Sequence, residues 1–215
     1  MAIGNNPPAK VGERIPVANF ASISAVGRSI ERFLSASFSN DQPLGPVGPN
    51  TVARLVRTED FDPANLGLLA RPFLSVFIYR VDFNKTTRAG WSAVGSLDGR
   101  SHLPLDLHFL VTAWANDSES ELRILGRCMQ ALETTPILSG PLLLSFGDFA
   151  PNESVQLVLE EVSTEAVMRM FDSLPTDYKL SVPYIARVVR LDSRTVSPSP
   201  TVLTVVSGTT PSAAP

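Results

Sequence analysis

The chain has 215 residues, a formal net charge of −3 and a sequence pI near 5.4. This length allows one domain with a core that needs no disulfide or metal, and a single cysteine excludes an internal disulfide. The slight acidity gives no general reason to expect nucleic acid as a partner, because that requires a basic surface to neutralise phosphates.

The N-terminal part of the chain predicts an arm followed by a helix. Residues 1–17 are rich in Pro, Asn and Gly, which is typical of an arm outside the core. Apolar residues then recur at helical spacing from Asn19 or Ser22 to about Ser39. The residues of this apolar stripe are Ile23, Val26, Ile30, Phe33 and Leu34. A loop rich in Pro and Gly follows at 40–49.

Two strands are predicted next, at 51–58 and at Phe73–Phe83. We expect the second strand to have one bulky face around Ser75, formed by Phe73, Phe77, Tyr79, Val81 and Phe83. The connection that follows, 84–104, is too long for a tight hairpin, and loops of that length are usually functional.

Residues 105–140 predict a strand, a capped helix and a stop. Alternation predicts a strand whose strongly apolar face carries Leu105, Leu107, Phe109, Val111 and Ala113. Ser118 and Glu121 have the spacing of a capping box, and Pro136 ends the helix. The inward face of that helix is predicted to contain Leu122, Leu125, Cys128, Met129 and Leu132.

The C-terminal half predicts strands at 142–146 and 155–159, a helix capped by Ser163, and a last strand at 178–192. Pro183 predicts an edge position or a bulge, because proline removes a ladder donor. The sum is one α+β domain over 18–192, with a single mixed, mainly antiparallel sheet covered by about three helices. A Ser/Thr/Pro-rich tail follows at 193–215.

One pair of residues carries an enzymatic hypothesis. Asp106 and His108 lie two apart in a predicted strand and share a face, the spacing at which a carboxylate can orient an imidazole. Without a Ser or Cys of known proximity, a polar strand face is the more frequent arrangement. Glu160 and Glu161, between a strand and a helix cap, are expected to be solvated acids.

The remaining candidate groups do not predict a metal or cofactor site. His102 has no partner at ligand spacing, and Cys128 lies on an inward helical stripe, where a thiol behaves as a small hydrophobe. The chain contains none of the common phosphate-binding or hydrolase motifs. We therefore predict a protein without cofactor or metal that is not an enzyme, with a small enzyme using Asp106 and His108 as the alternative.

Five residues are candidates for an assembly interface. Arg88, Trp91 and Arg100 lie in the long connection, and Trp and Arg are enriched at interface hot spots. The same residue types bind single-stranded nucleic acid, and a Trp that packs on its own domain is a further alternative. Val202 and Val205 belong to an apolar island in the tail that is suited to adding a strand to a neighbour.

Two ordered blocks resemble the tail terminator, or cap, proteins of extracellular contractile injection systems, phage-tail-like particles that include antifeeding prophages and virulence cassettes. The first block begins with a strand at 109–113 and an acidic helix start. It continues with a Leu-Gly pair at Leu125 and Gly126 and ends with a Pro-containing segment after the helix, at 136–138. The second block is matched by Leu174, Pro175, Tyr178, Leu180, Ser181 and Tyr184. The resemblance spans about residues 18–192.

The resemblance implies a mechanical function. Such proteins are expected to form a ring, with six copies as the expected number, on the last tube and sheath layer. The ring is expected to stop polymerisation there. The implied partners are other copies of the chain and the tube and sheath subunits, without nucleic acid or membrane. An adaptor that joins the particle to a membrane or neck is the alternative.

The expected location follows from two further features of the sequence. The chain has no apolar run of membrane-spanning length and no secretory h-region at its N-terminus. We expect assembly in the cytoplasm, within a particle that is later released.

Overall fold

The computed structural model describes residues 18–88 and 101–193, which form one six-stranded sheet with helices on both faces. The strands are β1 Val52–Val56, β2 Phe73–Phe83, β3 His102–Trp114, β4 Ile137–Ser139, β5 Ser154–Leu159 and β6 Ser181–Asp192. The helices are α1 Ser22–Asn40, α2 Pro63–Leu68, α3 Lys85–Arg88, α4 Ser118–Thr134 and α5 Thr164–Asp172.

The sheet has the strand order β1-β2-β3-β6-β5-β4. β1 pairs with β2 in parallel, and the other neighbouring strands pair antiparallel. The predicted α+β class and the mixed, mainly antiparallel sheet are therefore confirmed. The three predicted helices correspond to α1, α4 and α5, while α2 and α3 are short additions.

Each face of the sheet has its own core. On one face, α1 and α4 pack over the predicted apolar side of β3, where Phe109 and Val111 are fully buried. On the other face, α2 and α5 pack around Leu110 and Trp114 of the same strand. Burying both faces places β3 at the centre of the molecule and explains why its apolar residues are so numerous.

A β-bulge in β2 changes the predicted grouping of its bulky residues. The register with β3 shifts between Ile78 and Arg80, so an extra residue moves the following side chains to the opposite face. Phe73, Phe77 and Tyr79 pack in the α2/α5 core, as one face. Val81 and Phe83 are paired with Leu107 and Leu105 and so lie on the other face. The single bulky face predicted for β2 is wrong for its last two members.

The N-terminus of α4 differs from the prediction by one residue. Asp117, not Ser118, is the N-cap, and its carboxylate accepts a hydrogen bond of 2.8 Å from the Ser120 N–H. Glu121 instead accepts from the Ala115 N–H and pairs with Lys179. The acidic first turn is thus retained, but the second half of the predicted capping box connects the helix to other segments.

The inward face of α4 is rotated relative to the predicted one. Leu122 and Met129 were predicted to face the core, but they are 56% and 37% exposed. Ile124 and Ala131 are buried in their place, together with Leu125, Cys128 and Leu132. Both stripes have helical spacing, so position relative to α1 and β3 decides which of them is buried.

Three strand predictions also need correction. Residues 142–146 form no strand; 3₁₀ turns occupy Gly140–Leu142 and Ser145–Gly147, and the strand lies earlier, at β4. β3 begins at His102, which shortens the predicted 84–104 connection. β6 is an interior strand, between β3 and β5. Its ladder with β5 ends at the pair Tyr184 and Leu159. Pro183 lies just beyond this pair, where no backbone N–H is needed for the ladder.

The buried Cys128 thiol gives a testable pH dependence. Burial raises the pKa of Cys128 from 9.0 to about 12. Because the unfolded state ionises first, stability is complete below pH 9 and falls between pH 9 and 12, by up to about 1.4 kcal/mol per pH unit. We expect Cys128→Ala to show a shallower decline in urea melts over this range. Equal slopes for both proteins would contradict the assignment.

Candidate assembly surfaces

The predicted interface residues lie mostly beyond the described part of the chain. Trp91, Arg100, Val202 and Val205 are outside residues 18–88 and 101–193, and Arg88 ends α3 without a described side chain. What the structure describes is where these segments attach. The 89–100 connection leaves from α3 and returns at Ser101, and the tail follows β6.

The base of this connection is fixed by Asn84. Its N–H donates to the Pro104 carbonyl at 2.9 Å, and its side-chain amide donates to both Asp106 carboxylate oxygens at 3.2 and 3.1 Å. The Asn84 side-chain oxygen accepts from the Thr87 N–H and hydroxyl, each at 2.9 Å. The two ends of the connection are therefore held together at a defined point of the sheet.

A partly exposed apolar surface lies beside this base. Val81 and Phe83 are each 45% exposed, and Leu103 is 38% exposed. All three lie on the same face as the buried Leu105 and Leu107, because Val81 and Phe83 pair with these residues and Leu103 is two positions before Leu105. The apolar face of the sheet thus continues beyond its buried part, and we call Val81, Phe83 and Leu103 the distal apolar surface.

His108 lies in a polar cluster on the opposite face. It is 5% exposed, with Nδ1 2.9 Å from Glu160 Oε1 and Nε2 3.3 Å from Asp82 Oδ2. Nη2 of Arg80 lies 3.1 Å from both ring nitrogens. The Tyr79 hydroxyl donates to Glu160 Oε2 at 2.9 Å, and burial, followed by this carboxylate, raises the pKa of Tyr79. We call these five residues the His108 cluster.

The cluster differs from the predicted pair. The carboxylates that contact His108 belong to Asp82 and Glu160, whereas Asp106 accepts from Asn84. Glu160 was predicted to be solvated, but its side chain is only 12% exposed. These partners come from β2 and from the residue after β5, so no local spacing in the sequence indicates them.

The cluster has the composition of an ionic connection between strands. The cysteine is not part of this cluster, because Cys128 packs on the other face of the sheet, among the α1/α4 core residues. Among residues 18–88 and 101–193, no group of three or more His, Cys, Asp or Glu side chains is placed to hold a metal ion. What the arrangement does is join β2, β3 and the end of β5 through charged hydrogen bonds.

Replacement of His108 tests this structural role. We expect His108→Ala to lower the free energy of unfolding by about 1–3 kcal/mol, because the buried Glu160 carboxylate loses a hydrogen-bond partner. Asp106→Asn is the control, because Asp106 does not contact His108 and the new side chain keeps an oxygen that can accept from Asn84. We expect it to change the free energy of unfolding little. Urea denaturation of both variants measures the difference, and an unchanged His108→Ala midpoint would contradict it.

A second charged cluster fixes the far half of β6. Arg190 Nη2 lies 2.9 Å from Glu153 Oε1 and 2.7 Å from Asp192 Oδ2. Asp192 Oδ1 in turn lies 2.5 Å from His102 Nδ1. Burial raises the pKa of Glu153. These contacts join the start of β3 to the segment that leads into β5.

The outer edge of β1 is largely blocked against further strand pairing. The Ala53 N–H donates to Ser35 Oγ at 3.0 Å, and the same hydroxyl donates to the Ala53 carbonyl. The Thr51 N–H donates to the Gln42 side chain. Since an open edge invites pairing with another chain, these side chains make β1 a poor place for strand addition.

The sheet is open at a different place, between β5 and β6. Their ladder ends at the pair Gln156 and Arg187. Beyond this pair, the strands enclose a cleft of about 560 Å³ lined by Phe149, Ser154, Val188 and Arg190, among others. We call this the fork cleft.

Comparison with known proteins decides the family. The family model described as the Pvc16 N-terminal domain matches residues 25–204, most of the chain. The chain belongs to the Pvc16 N-terminal domain family. This family assignment confirms the relationship indicated by the two sequence blocks. No curated protein sequence matches the chain.

Two solved structures resemble this Pvc16-family domain in fold. One is an extracellular contractile injection system, PVC sheath/tube terminator in its extended state, with TM-score 0.54 and 18% identity over 89% of this chain and 64% of that chain. The other is the anti-feeding prophage cap, a tube terminating cap, with TM-score 0.51 and 16% identity over 86% and 60%. The chain therefore spans under two thirds of the length of either.

Within residues 18–88 and 101–193 of this Pvc16-family domain, no helix is both long enough and apolar enough to cross a membrane.

Proposed function

We propose that the protein is the structural cap of a contractile, phage-tail-like injection system. It forms a ring, with six copies as the expected number, on the last layer of tube and sheath and ends polymerisation there. The observation that carries this proposal is the family match over residues 25–204, supported by the fold shared with a sheath/tube terminator and a tube terminating cap. The proposed role is mechanical, without catalysis, cofactor, nucleic acid or membrane.

The organisation proposed for this role has three parts. The domain at 18–192 supplies the rigid body, and the arm at 1–17, the tail at 193–215 and the 89–100 connection supply contacts. The proposed interface residues are Arg88 at the end of α3, Trp91 and Arg100 in the connection, and Val202 and Val205 in the tail. Assembly takes place in the cytoplasm, and the cap leaves with the particle.

The physical requirement on such a cap is asymmetry. A tube grows because the upper face of one layer fits the lower face of the next, and this contact repeats without closing along the axis. A cap has to reproduce one of those faces and lack the other. Around the ring, contacts between unlike surfaces close on themselves, so each protomer needs two different lateral surfaces.

Electron microscopy of particles made without the protein tests the proposal. We expect over-long or ragged cylinders, and restoration of uniform lengths by the intact chain. Uniform cylinders with intact ends in its absence would show that the cap is a different protein.

The distal apolar surface gives a prediction at the level of one residue. Phe83→Ser should alter the unfolding free energy by less than about 1 kcal/mol, because the side chain is already 45% exposed. It should nevertheless lower the fraction of capped particles, since a partner would lose an apolar contact.

Leu68→Ser is the matched control for Phe83→Ser. Leu68 is 83% exposed but lies on α2, outside the distal apolar surface. Counting capped ends in micrographs of both variants measures the difference. Equal capping by Phe83→Ser and Leu68→Ser would remove this surface from the proposed interface.

A further inference from the structure

A groove beside α5 leaves apolar side chains exposed. It has a volume of about 430 Å³ and is lined by residues of α5 and of the 174–178 segment that follows. Phe171 and Leu174 are buried in its lining, whereas Met168 and Tyr178 are 46% and 45% exposed. The Tyr178 ring packs edge-on against Phe171 at a centroid distance of 5.4 Å, so one aromatic wall has a fixed position. We call this the α5 groove.

The α5 groove also carries negative charge that is not compensated. Asp172 and Asp177 line it and are exposed, and in the described part of the chain neither side chain has an ion pair or a hydrogen-bond partner. Arg169 and Lys179, the nearest bases in sequence, are each paired with a glutamate. Apolar surface beside free carboxylates suits a segment that has both basic and apolar side chains.

The N-terminal arm has the matching composition. Its residues 9–15, AKVGERI, contain two bases, one acid and the apolar Val11 and Ile15. In residues 89–100, one base and one acid cancel, and the tail carries a single charge, Arg194, directly after the domain. Charge complementarity therefore favours the arm over the other two segments.

An extended arm separates its two kinds of side chain. Alternation places Lys10 and Arg14 on one side and Val11 and Ile15 on the other. Ile15 precedes Pro16, which disfavours helix and favours extended backbone at that position. With the apolar side in the groove, the long basic side chains reach the acidic rim while their stems cover apolar surface.

The arm of the same protomer is too short to place its bases in the α5 groove. It joins the domain at Ala18, whose carbonyl accepts from the Asp192 N–H at the end of β6, whereas Tyr178 of the groove is three residues before β6 begins. The 12 residues of β6 span about 36 Å, but a fully extended chain reaches only about 14 Å from Ala18 to Arg14 and about 28 Å to Lys10. The arm would also have to pass from the α1 face of the sheet to the α5 face.

We propose that the α5 groove binds residues 10–15 of the N-terminal arm of a second copy of this chain. Arm and groove are unlike surfaces near opposite ends of β6, so the contact repeats around an axis and closes a ring. This inference rests on the proposed cap function and names a lateral contact between neighbouring copies.

Exchange of the charges tests the contact in purified particles. The groove variant carries Asp172→Lys and Asp177→Lys, and the arm variant carries Lys10→Glu and Arg14→Glu. We expect each variant to lower the fraction of capped ends at least about fivefold, and a chain with all four changes to restore it. Glu133→Lys reverses an exposed acid on α4, away from the groove, and is the control that should cap normally.

Disulfide trapping identifies the copy that supplies the arm. In a Cys128→Ala background, one chain carries Thr176→Cys in the groove and a second carries Gly12→Cys in the arm. Both chains are co-expressed, and the particles are oxidised with dipyridyl disulfide. We expect a product of twice the 23.2 kDa chain mass, in at least about tenfold excess over each chain expressed alone. The same excess is expected over a pair that uses Thr134→Cys, exposed at the end of α4.

The outcomes separate the inference from the proposed function. A chain with both thiols that forms only an internal disulfide would assign the groove to the protomer's own arm and overturn the inference. Loss of capping by the groove variant alone, with normal capping by the arm variant, would assign the groove to a different basic partner and also overturn it. Capped particles without cross-links would overturn it while leaving the cap function intact. Absence of the unaltered protein from particle ends would instead contradict the cap function.

Discussion

Deletion of residues 195–215 is expected to reduce the fraction of capped particle ends at least tenfold while leaving the domain folded. The described fold ends with β6 at Asp192, and within residues 101–193 the last fully buried core residue is Val189. We therefore expect the deletion to leave both described cores intact. We expect attachment to be lost, because the tail is proposed to supply contacts within the particle.

The matched control keeps the tail length and removes its strand-forming residues. Replacing 201–206 with Gly and Ser preserves reach but weakens β-propensity, so it should impair capping nearly as much as deletion. Thermal unfolding reports the fold, and immunogold labelling of particle ends reports attachment. Normal end labelling by the deletion protein would exclude the tail from the cap interface.

Phe109→Ala is expected to lower the free energy of unfolding by about 3–5 kcal/mol. Phe109 is fully buried at the centre of β3, and its ring stacks on that of Tyr184 at a centroid distance of 5.7 Å. The α1 and α4 helices close the same core, so the structure cannot collapse easily into the cavity. This loss is a large fraction of the roughly 5–15 kcal/mol that stabilises a typical domain.

Leu122→Ala is the control for this core prediction. Leu122 is 56% exposed on α4, although its spacing predicted an inward position, and its truncation should cost less than about 1 kcal/mol. Urea denaturation of both variants gives the comparison. A larger effect at Leu122 than at Phe109 would contradict the described packing of α4.

The elements that the sequence predicts best are those defined by local periodicity and chain breakers. β2 was predicted with the bounds Phe73–Phe83, and α4 ends before Pro136 as expected. The apolar run defines β2, and for α4 the apolar spacing is followed closely by a terminating proline. Such information is local, so it survives without knowledge of the tertiary structure.

The wrong predictions of the fold arise where tertiary contacts select one of several locally possible arrangements. The bulge before Arg80 depends on pairing with β3, and no residue type in β2 marks it. The apolar stripe with Leu122 and the one with Ile124 both fit a helix, and packing against α1 and β3 selects the second. Pro183 predicted an edge position or a bulge, yet only the end of β5 decides where β6 is locally unpaired.

The candidate sites show the same division. Sequence spacing correctly placed Asp106 and His108 on one face of a strand, but the acids that contact His108 are distant in sequence. The fork cleft depends on where the β5–β6 ladder ends, which requires the register of both strands. A long connection after β2 could be predicted from the distance between two clear strands, whereas the apolar surface beside it follows from the bulge.

The central claim is that the protein binds one end of a growing cylinder and offers nothing for the next layer to bind. The most direct test adds purified, fluorescently labelled protein to cylinders assembling from tube and sheath subunits, at increasing ratios of cap to subunit. We predict label confined to one end of each cylinder and mean lengths that shorten as the ratio rises. Label distributed along the cylinders, or lengths independent of the ratio, would contradict the account.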